Sequence, residues 1–116
     1  MQNDPVETNS DLYRVVMEND RVRVLEYRDR PGDRTTLHAH PDSVMITLSS
    51  FRRRLSGEAG STVDVSLESG VIRWLDAQQH AGENIGTTET RVLFVELREA
   101  RVGPAANRAT IGPIES

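Results

Sequence analysis

Three histidines carry the most specific chemistry that this chain of 116 residues offers. His38 and His40 form an H-x-H pair. On a strand, residues i and i+2 point to one face about 6–7 Å apart, so two imidazoles so placed can share one metal ion. The third, His80, follows the apolar stretch Val71–Leu75. In a closed all-β fold a later strand can return beside the first pair. His80 would then complete a face of three imidazoles with coordination positions left open, as a catalytic metal site requires. Such a centre polarises a carbonyl or enolate oxygen.

Composition removes the competing routes. The chain has no Cys, which excludes disulfides, thiolate zinc sites, iron–sulfur clusters and cysteine nucleophiles. All 14 basic residues are Arg, so Schiff-base lysines and phosphate-loop lysines are excluded as well. His, Asp or Glu, Tyr and metal-bound water remain as possible bases.

The elements that must position the histidines read as strands. Leu12–Met17, Arg21–Arg28, Val44–Leu48, Thr62–Leu67, Val71–Leu75 and Arg91–Leu97 are short, rich in β-branched residues and bounded by Gly, Asp and Asn turns. Thr62–Leu67 alternates, with Val63, Val65 and Leu67 expected inward. No stretch longer than about ten residues carries a helical stripe. Strands at this spacing indicate an all-β sandwich or barrel in one domain. Residues 1–11 are polar and read as a disordered lead-in, residues 12–98 as the domain, and residues 99–116 as a C-terminal tail. Arg52-Arg53-Arg54 reads as a solvated strand or turn edge.

The motifs around the histidines resemble those of small single-domain cupins, the RmlC-like jelly-roll barrels. The first cupin motif is G-x5-H-x-H-x3-E-x6-G. Gly32, five residues, then His38, Ala39 and His40 fit its front half. Its glutamate falls on Val44 and its closing glycine on Phe51. The second motif is G-x5-P-x-G-x2-H-x3-N. Gly70 and Asn84 fit it, Asp76 and Gln78 replace the Pro and Gly, and His80 arrives one residue early. The phrases His40-Pro41-Asp42-Ser43-Val44 and His80-Ala81-Gly82-Glu83-Asn84-Ile85-Gly86 are similar to those of a subgroup of short cupins, some associated with β-alanine degradation. The resemblance spans residues 12–98. It implies an all-β, single cupin jelly-roll barrel with His38, His40 and His80 as ligands of a divalent metal (Fe, Zn, Ni or Mn).

With Val44 in place of the glutamate, the implied site is three imidazoles with water and substrate at the remaining positions. A fourth ligand could come from Gln78, Gln79 or Asp42. Each has an alternative reading, the glutamines as exposed turn residues and Asp42 as a turn cap after Pro41. Candidate catalytic groups are Arg73, which would hold a substrate carboxylate if its face is interior, Tyr27, and Glu96, which could equally be an edge charge paired with Arg. Tyr13 is a further possible acid. Trp74 reads as core or pocket wall. Asn84 is expected to fix its turn through backbone bonds and Glu83 to pair with an Arg.

These features suit a metal-dependent enzyme on a small oxygenated metabolite, a keto acid or 1,3-dicarbonyl, either an isomerase or epimerase or an Fe(II) dioxygenase. The alternatives are a non-catalytic binding cupin and a metal-free isomerase or cyclase using histidine acid/base chemistry. The expected partner is a small-molecule substrate. A net charge of −4 argues against a nucleic-acid surface. The longest apolar run, Val92–Val95, is far short of the roughly 18–20 residues of a membrane span. The N-terminus has no secretory pattern, so the expected location is cytoplasmic. Sheet edges and the cupin resemblance together suggest a homodimer.

Overall fold

The computed structural model describes residues 3–98, and the tail expected over 99–116 lies outside the described residues. A short helix, α1 (Pro5–Thr8), precedes nine strands. These are β1 (Tyr13–Glu18), β2 (Val22–Asp29), β3 (His38–His40), β4 (Ser43–Thr47), β5 (Phe51–Gly57), β6 (Thr62–Leu67), β7 (Ile72–Leu75), β8 (Gln78–Asn84) and β9 (Thr90–Leu97). One sheet runs β1-β2-β9-β4-β7 and the other β3-β8-β5-β6, with every pairing antiparallel. This is the all-β jelly roll that the alternating sequence predicts. Among the described residues no helix is long and apolar enough to cross a membrane.

Strand register sorts the side chains into an inside and an outside. On β2 and β9, Leu25 lies opposite Phe94 and Tyr27 opposite Val92. These four, with Tyr13 and Phe51, form the buried core. Burying one such side chain contributes about 1.5–3 kcal/mol. β4 presents Met45 opposite Phe94 on this inner face, and β7 presents Arg73 opposite Met45. Val44 pairs with Val95 and Trp74 on the outer face. The cupin glutamate position is therefore turned away from the barrel here, and Ser43, Met45 and Thr47 are the β4 residues on the inner face.

The turns use residues suited to them. Gly60 sits at φ +87° in the β5–β6 hairpin, and Gly70 at φ +85° between β6 and β7, a region that side-chain-bearing residues avoid.

The structure departs from the sequence reading in four places. Residues 3–11 are not a disordered lead-in. The Asp4 carboxylate accepts from the Val6 amide at the helix start, Pro5 occupies the first turn, and Val6 packs against the core. This segment also clasps β3: the Ala39 amide donates to Asn3 O at 2.8 Å, and the Thr36 amide to Asn9 Oδ1 at 2.8 Å. Second, Gln78 and Gln79, given an alternative reading as turn residues, begin a strand, because β8 is sandwiched between β3 and β5. Third, Arg53 faces inward, in step with Phe51 and Leu55, while Arg52 and Arg54 face Asp64 outside. Fourth, Val63 is 57% exposed, near the start of an edge strand. Val65 and Leu67 line the interior as expected.

Candidate metal centre

β3 and β8 pair so that His38 lies directly opposite His80, and His40 opposite Gln78. This register closes the gap of forty residues between the H-x-H pair and the third histidine. The ring centroids are 4.9 Å apart for His38–His40, 4.8 Å for His38–His80 and 5.2 Å for His40–His80. One ring nitrogen from each lies within 4.8 Å of the other two, close enough to hold one metal ion.

Each imidazole is oriented through its other nitrogen. His38 Nδ1 is 2.7 Å from the Thr36 carbonyl, His40 Nδ1 2.9 Å from Glu96 Oε2, and His80 Nδ1 2.8 Å from Gln78 Oε1. Carbonyl, carboxylate and amide oxygens only accept hydrogen bonds, so all three Nδ1 atoms carry the proton. All three Nε2 atoms therefore carry the lone pair that a metal would use. The donor set is three neutral nitrogens of one tautomer, which suits Fe, Zn, Ni or Mn.

Burial disfavours the charged form of the His38 and His80 rings. It pushes the His38 imidazole down to about 4 and the His80 imidazole down to about 3, with neighbouring His40 and His38 adding to the effect on His80. An unfolded histidine takes up a proton near pH 6.5, whereas these native rings refuse it until about 4 and 3. Between those limits the unfolded chain binds more protons, so stability falls as pH falls. The slope is about 1.4 kcal/mol per pH unit for each fully titrating imidazole. The denaturant midpoint of metal-free protein is expected to drop from pH 6.5 to pH 4, and a His38→Gln/His80→Gln variant should show a shallower drop. Identical slopes would refute this origin.

Glu96 does not line the cavity beside the histidines. It lies behind His40, 2% exposed, and accepts from Arg23 Nε at 2.9 Å while its other oxygen faces His40 Nδ1. Arg23 in turn donates to Asp4 at 2.8 and 3.0 Å. A chain of Asp4, Arg23 and Glu96 thus runs from the N-terminal helix to the His40 ring. Glu96 therefore contacts Arg23 and His40 rather than the cavity.

Tyr13, at the start of β1, brings its phenol oxygen 3.2 Å from His38 Nε2 and 3.4 Å from His40 Nε2. Its ring packs against Tyr27 at 4.7 Å. Burial pushes this phenol well above its usual range.

The histidines open into a cavity of about 340 Å³. His38 and His80 line it, whereas His40 is stacked on Phe94 at 4.8 Å. The walls are mainly apolar, among them Met45, Phe51, Leu55, Leu67 and Val92. Arg73 and Trp74 are exposed members of the lining. Among the described residues Arg73 pairs with no carboxylate, and its Nη1 donates only to the Ile72 carbonyl. The Trp74 indole donates to Asp76 at 2.8 Å.

A second buried polar cluster adjoins the same cavity. Asp29 accepts from Tyr27 Oη and Arg53 Nη1, and from Asn84 Nδ2 at 3.0 Å. Arg53 Nη2 also donates to the Tyr27 oxygen at 3.1 Å. Gly82 makes room for this guanidinium, since a Cβ there would stand 2.9 Å from Arg53 Nη2.

The candidates from sequence thus separate. His38, His40 and His80 come together, and Arg73 lies with His38 and His80 on the cavity wall. Gln78 orients His80, so its amide oxygen is engaged there. Gln79 lies exposed, one residue out of step with Gln78 and His80. Asp42 is exposed on a loop, where its carboxylate accepts from the Ala77 amide at 2.9 Å, the alternative reading of a cap. Tyr27 lines the cavity but commits its hydroxyl to Asp29 and Arg53. Asn84 holds the Thr88 carbonyl and the Gly86 amide, as its turn role requires, and Glu83 faces Arg34 at 3.5 Å. Sequence reasoning missed Arg53 and gave Tyr13 little weight. The apolar residues Phe51 and Leu55, each two positions away, are the signal that placed Arg53 inside.

Two antiparallel sheets closed around an inward-facing trio of imidazoles define the cupin class of double-stranded β-helix proteins. No protein-family model matches the sequence, and no curated protein does so. Among solved structures, the chain is similar to a cupin domain from Bordetella pertussis Tohama I, with 28% identity and a TM-score of 0.70 over 76% of this chain and 93% of that one. It is also similar to an RmlC-like cupin family protein from Methanocaldococcus jannaschii, at 12% identity and a TM-score of 0.60 over 75% and 79%. A third likeness is to a predicted oxalate decarboxylase from Thermotoga maritima, at 17% identity and a TM-score of 0.52 over 73% and 78%. The fold is the cupin jelly roll.

Proposed function

We propose that the chain is a metal-dependent enzyme acting on a small oxygenated metabolite, a keto acid or a 1,3-dicarbonyl. The observation that carries this reading is the set of three like-tautomer imidazoles at the edge of a small, mainly apolar cavity. A divalent metal held by His38, His40 and His80 would supply a Lewis acid for a carbonyl or enolate oxygen, with no ligand carboxylate among the three to reduce its charge. The apolar walls exclude water and accept the carbon skeleton. Arg73, free of any described carboxylate, would bind a substrate carboxylate from the wall. The chemistry that follows is a proton shift next to the carbonyl, as in an isomerase or epimerase, or dioxygenation where the ion is Fe(II).

The test is elemental analysis of protein purified without a metal-affinity tag, repeated on His38→Ala and His80→Ala. Near-stoichiometric metal is expected in the parent protein and little in either variant. Absence of metal from the parent protein, even after reloading with Fe(II), Zn, Ni or Mn, would overturn the proposal. Oxygen uptake with a panel of keto acids and dicarbonyls then separates dioxygenase from isomerase.

A further inference from the structure

We propose that the phenol oxygen of Tyr13 is a fourth protein ligand of the ion held by His38, His40 and His80. This rests on the metal reading above and adds an oxygen donor from a different sheet. The argument is geometric. A tetrahedral ion with bonds of about 2.0–2.1 Å has ligand atoms roughly 3.3–3.4 Å apart. The Tyr13 oxygen stands 3.2 Å from His38 Nε2 and 3.4 Å from His40 Nε2, which matches the edge of that tetrahedron.

Simple hydrogen bonding accounts less well for this position. A phenol has one hydrogen and can donate it to one of the two lone pairs only. Both Nε2 atoms are acceptors, because each Nδ1 already carries the proton. The phenol oxygen has no other described hydrogen-bond partner, although it is buried. Nor does a described carboxylate compete for the place. Glu96 is behind His40, Asp42 is on a loop, and position 44 is turned outward. Binding replaces the phenol O–H bond with an oxygen–metal bond, and the proton is released to solvent. The result is an N3O set with one anionic oxygen.

Copper(II) is a convenient probe, since nitrogen and oxygen sites bind it most tightly among the divalent first-row ions. Titration of metal-free protein should give a phenolate-to-copper charge-transfer band in the visible. The chain has only two tyrosines. The band should therefore persist in Tyr27→Phe and vanish in Tyr13→Phe, and the latter should bind copper about tenfold or more weakly. Because the band is read in the parent protein and in Tyr27→Phe, it decides the matter even if Tyr13→Phe folds poorly. A parent protein that binds copper through His38 and His80 without any such band, or a Tyr13→Phe variant that binds as tightly, would overturn the Tyr13 assignment alone. Copper binding unaffected by His80→Ala would overturn the metal centre with it.

Discussion

Asp29→Ala is expected to cost about 3–5 kcal/mol of folding stability, a fifth or more of the roughly 5–15 kcal/mol a domain has in reserve. Asp29 is 2% exposed and accepts from Tyr27, Arg53 and Asn84. Removing it leaves a guanidinium, a phenol and an amide in the interior with donors unmatched. The guanidinium dominates, because an unpaired buried charge costs far more than a lost neutral hydrogen bond. The pairing itself need not be worth that much, since the desolvation of both ions offsets their attraction. The double variant Asp29→Leu/Arg53→Met should therefore be more stable than Asp29→Ala. Denaturant titrations with unchanged slope would report both numbers. A cost below about 1 kcal/mol, the worth of an exposed pair such as Arg28–Glu89, would show that Arg53 is not isolated from water as described.

The second large effect is on metal affinity. Glu96→Ala should weaken binding by about 10–100-fold although Glu96 touches no metal position. His40 Nδ1 and Arg23 are both donors, and they meet at one carboxylate that can only accept. Without it His40 loses the contact that sets its tautomer and ring angle. Glu96→Gln separates charge from hydrogen bonding. Its amide can accept from His40 or from Arg23, but its NH2 group must then face the other donor. Its affinity is expected between those of the parent protein and Glu96→Ala. Calorimetric titration of the metal-free proteins gives the order, and an Ala variant within twofold of the parent protein would remove Glu96 from the site.

Much of the fold was legible along the chain. Thr62–Leu67 shows the two-residue period of a half-buried strand, Arg91–Leu97 reads as a strand from its β-branched and apolar content, and the Gly and Asp turns between strands mark where the chain reverses. The H-x-H pair was equally legible, because side chains two apart on a strand share a face wherever that strand lies. Less legible was the inward Arg53. Three consecutive arginines look like a solvated edge, and an alternating strand must nonetheless put one of them on the opposite side from its neighbours. The N-terminal helix was illegible for a related reason. Four residues are too few to show a period, and α1 is held by its cap and by contacts with β3 rather than by its own propensity.

The sequence by itself determined that thiolate and lysine chemistry are absent here and that three histidines are the main candidates for metal chemistry. It also determined that the framework is all β. Only the tertiary structure decided which oxygen atoms accompany those rings. Pairing register brings His80 opposite His38, sets Gln78, the Thr36 carbonyl and Glu96 on the three Nδ1 atoms, turns Val44 outward and lowers Tyr13 onto two Nε2 atoms. Those relations join β1, β3, β8 and β9. Register between strands distant in sequence is set by packing of their buried faces, which no local pattern encodes.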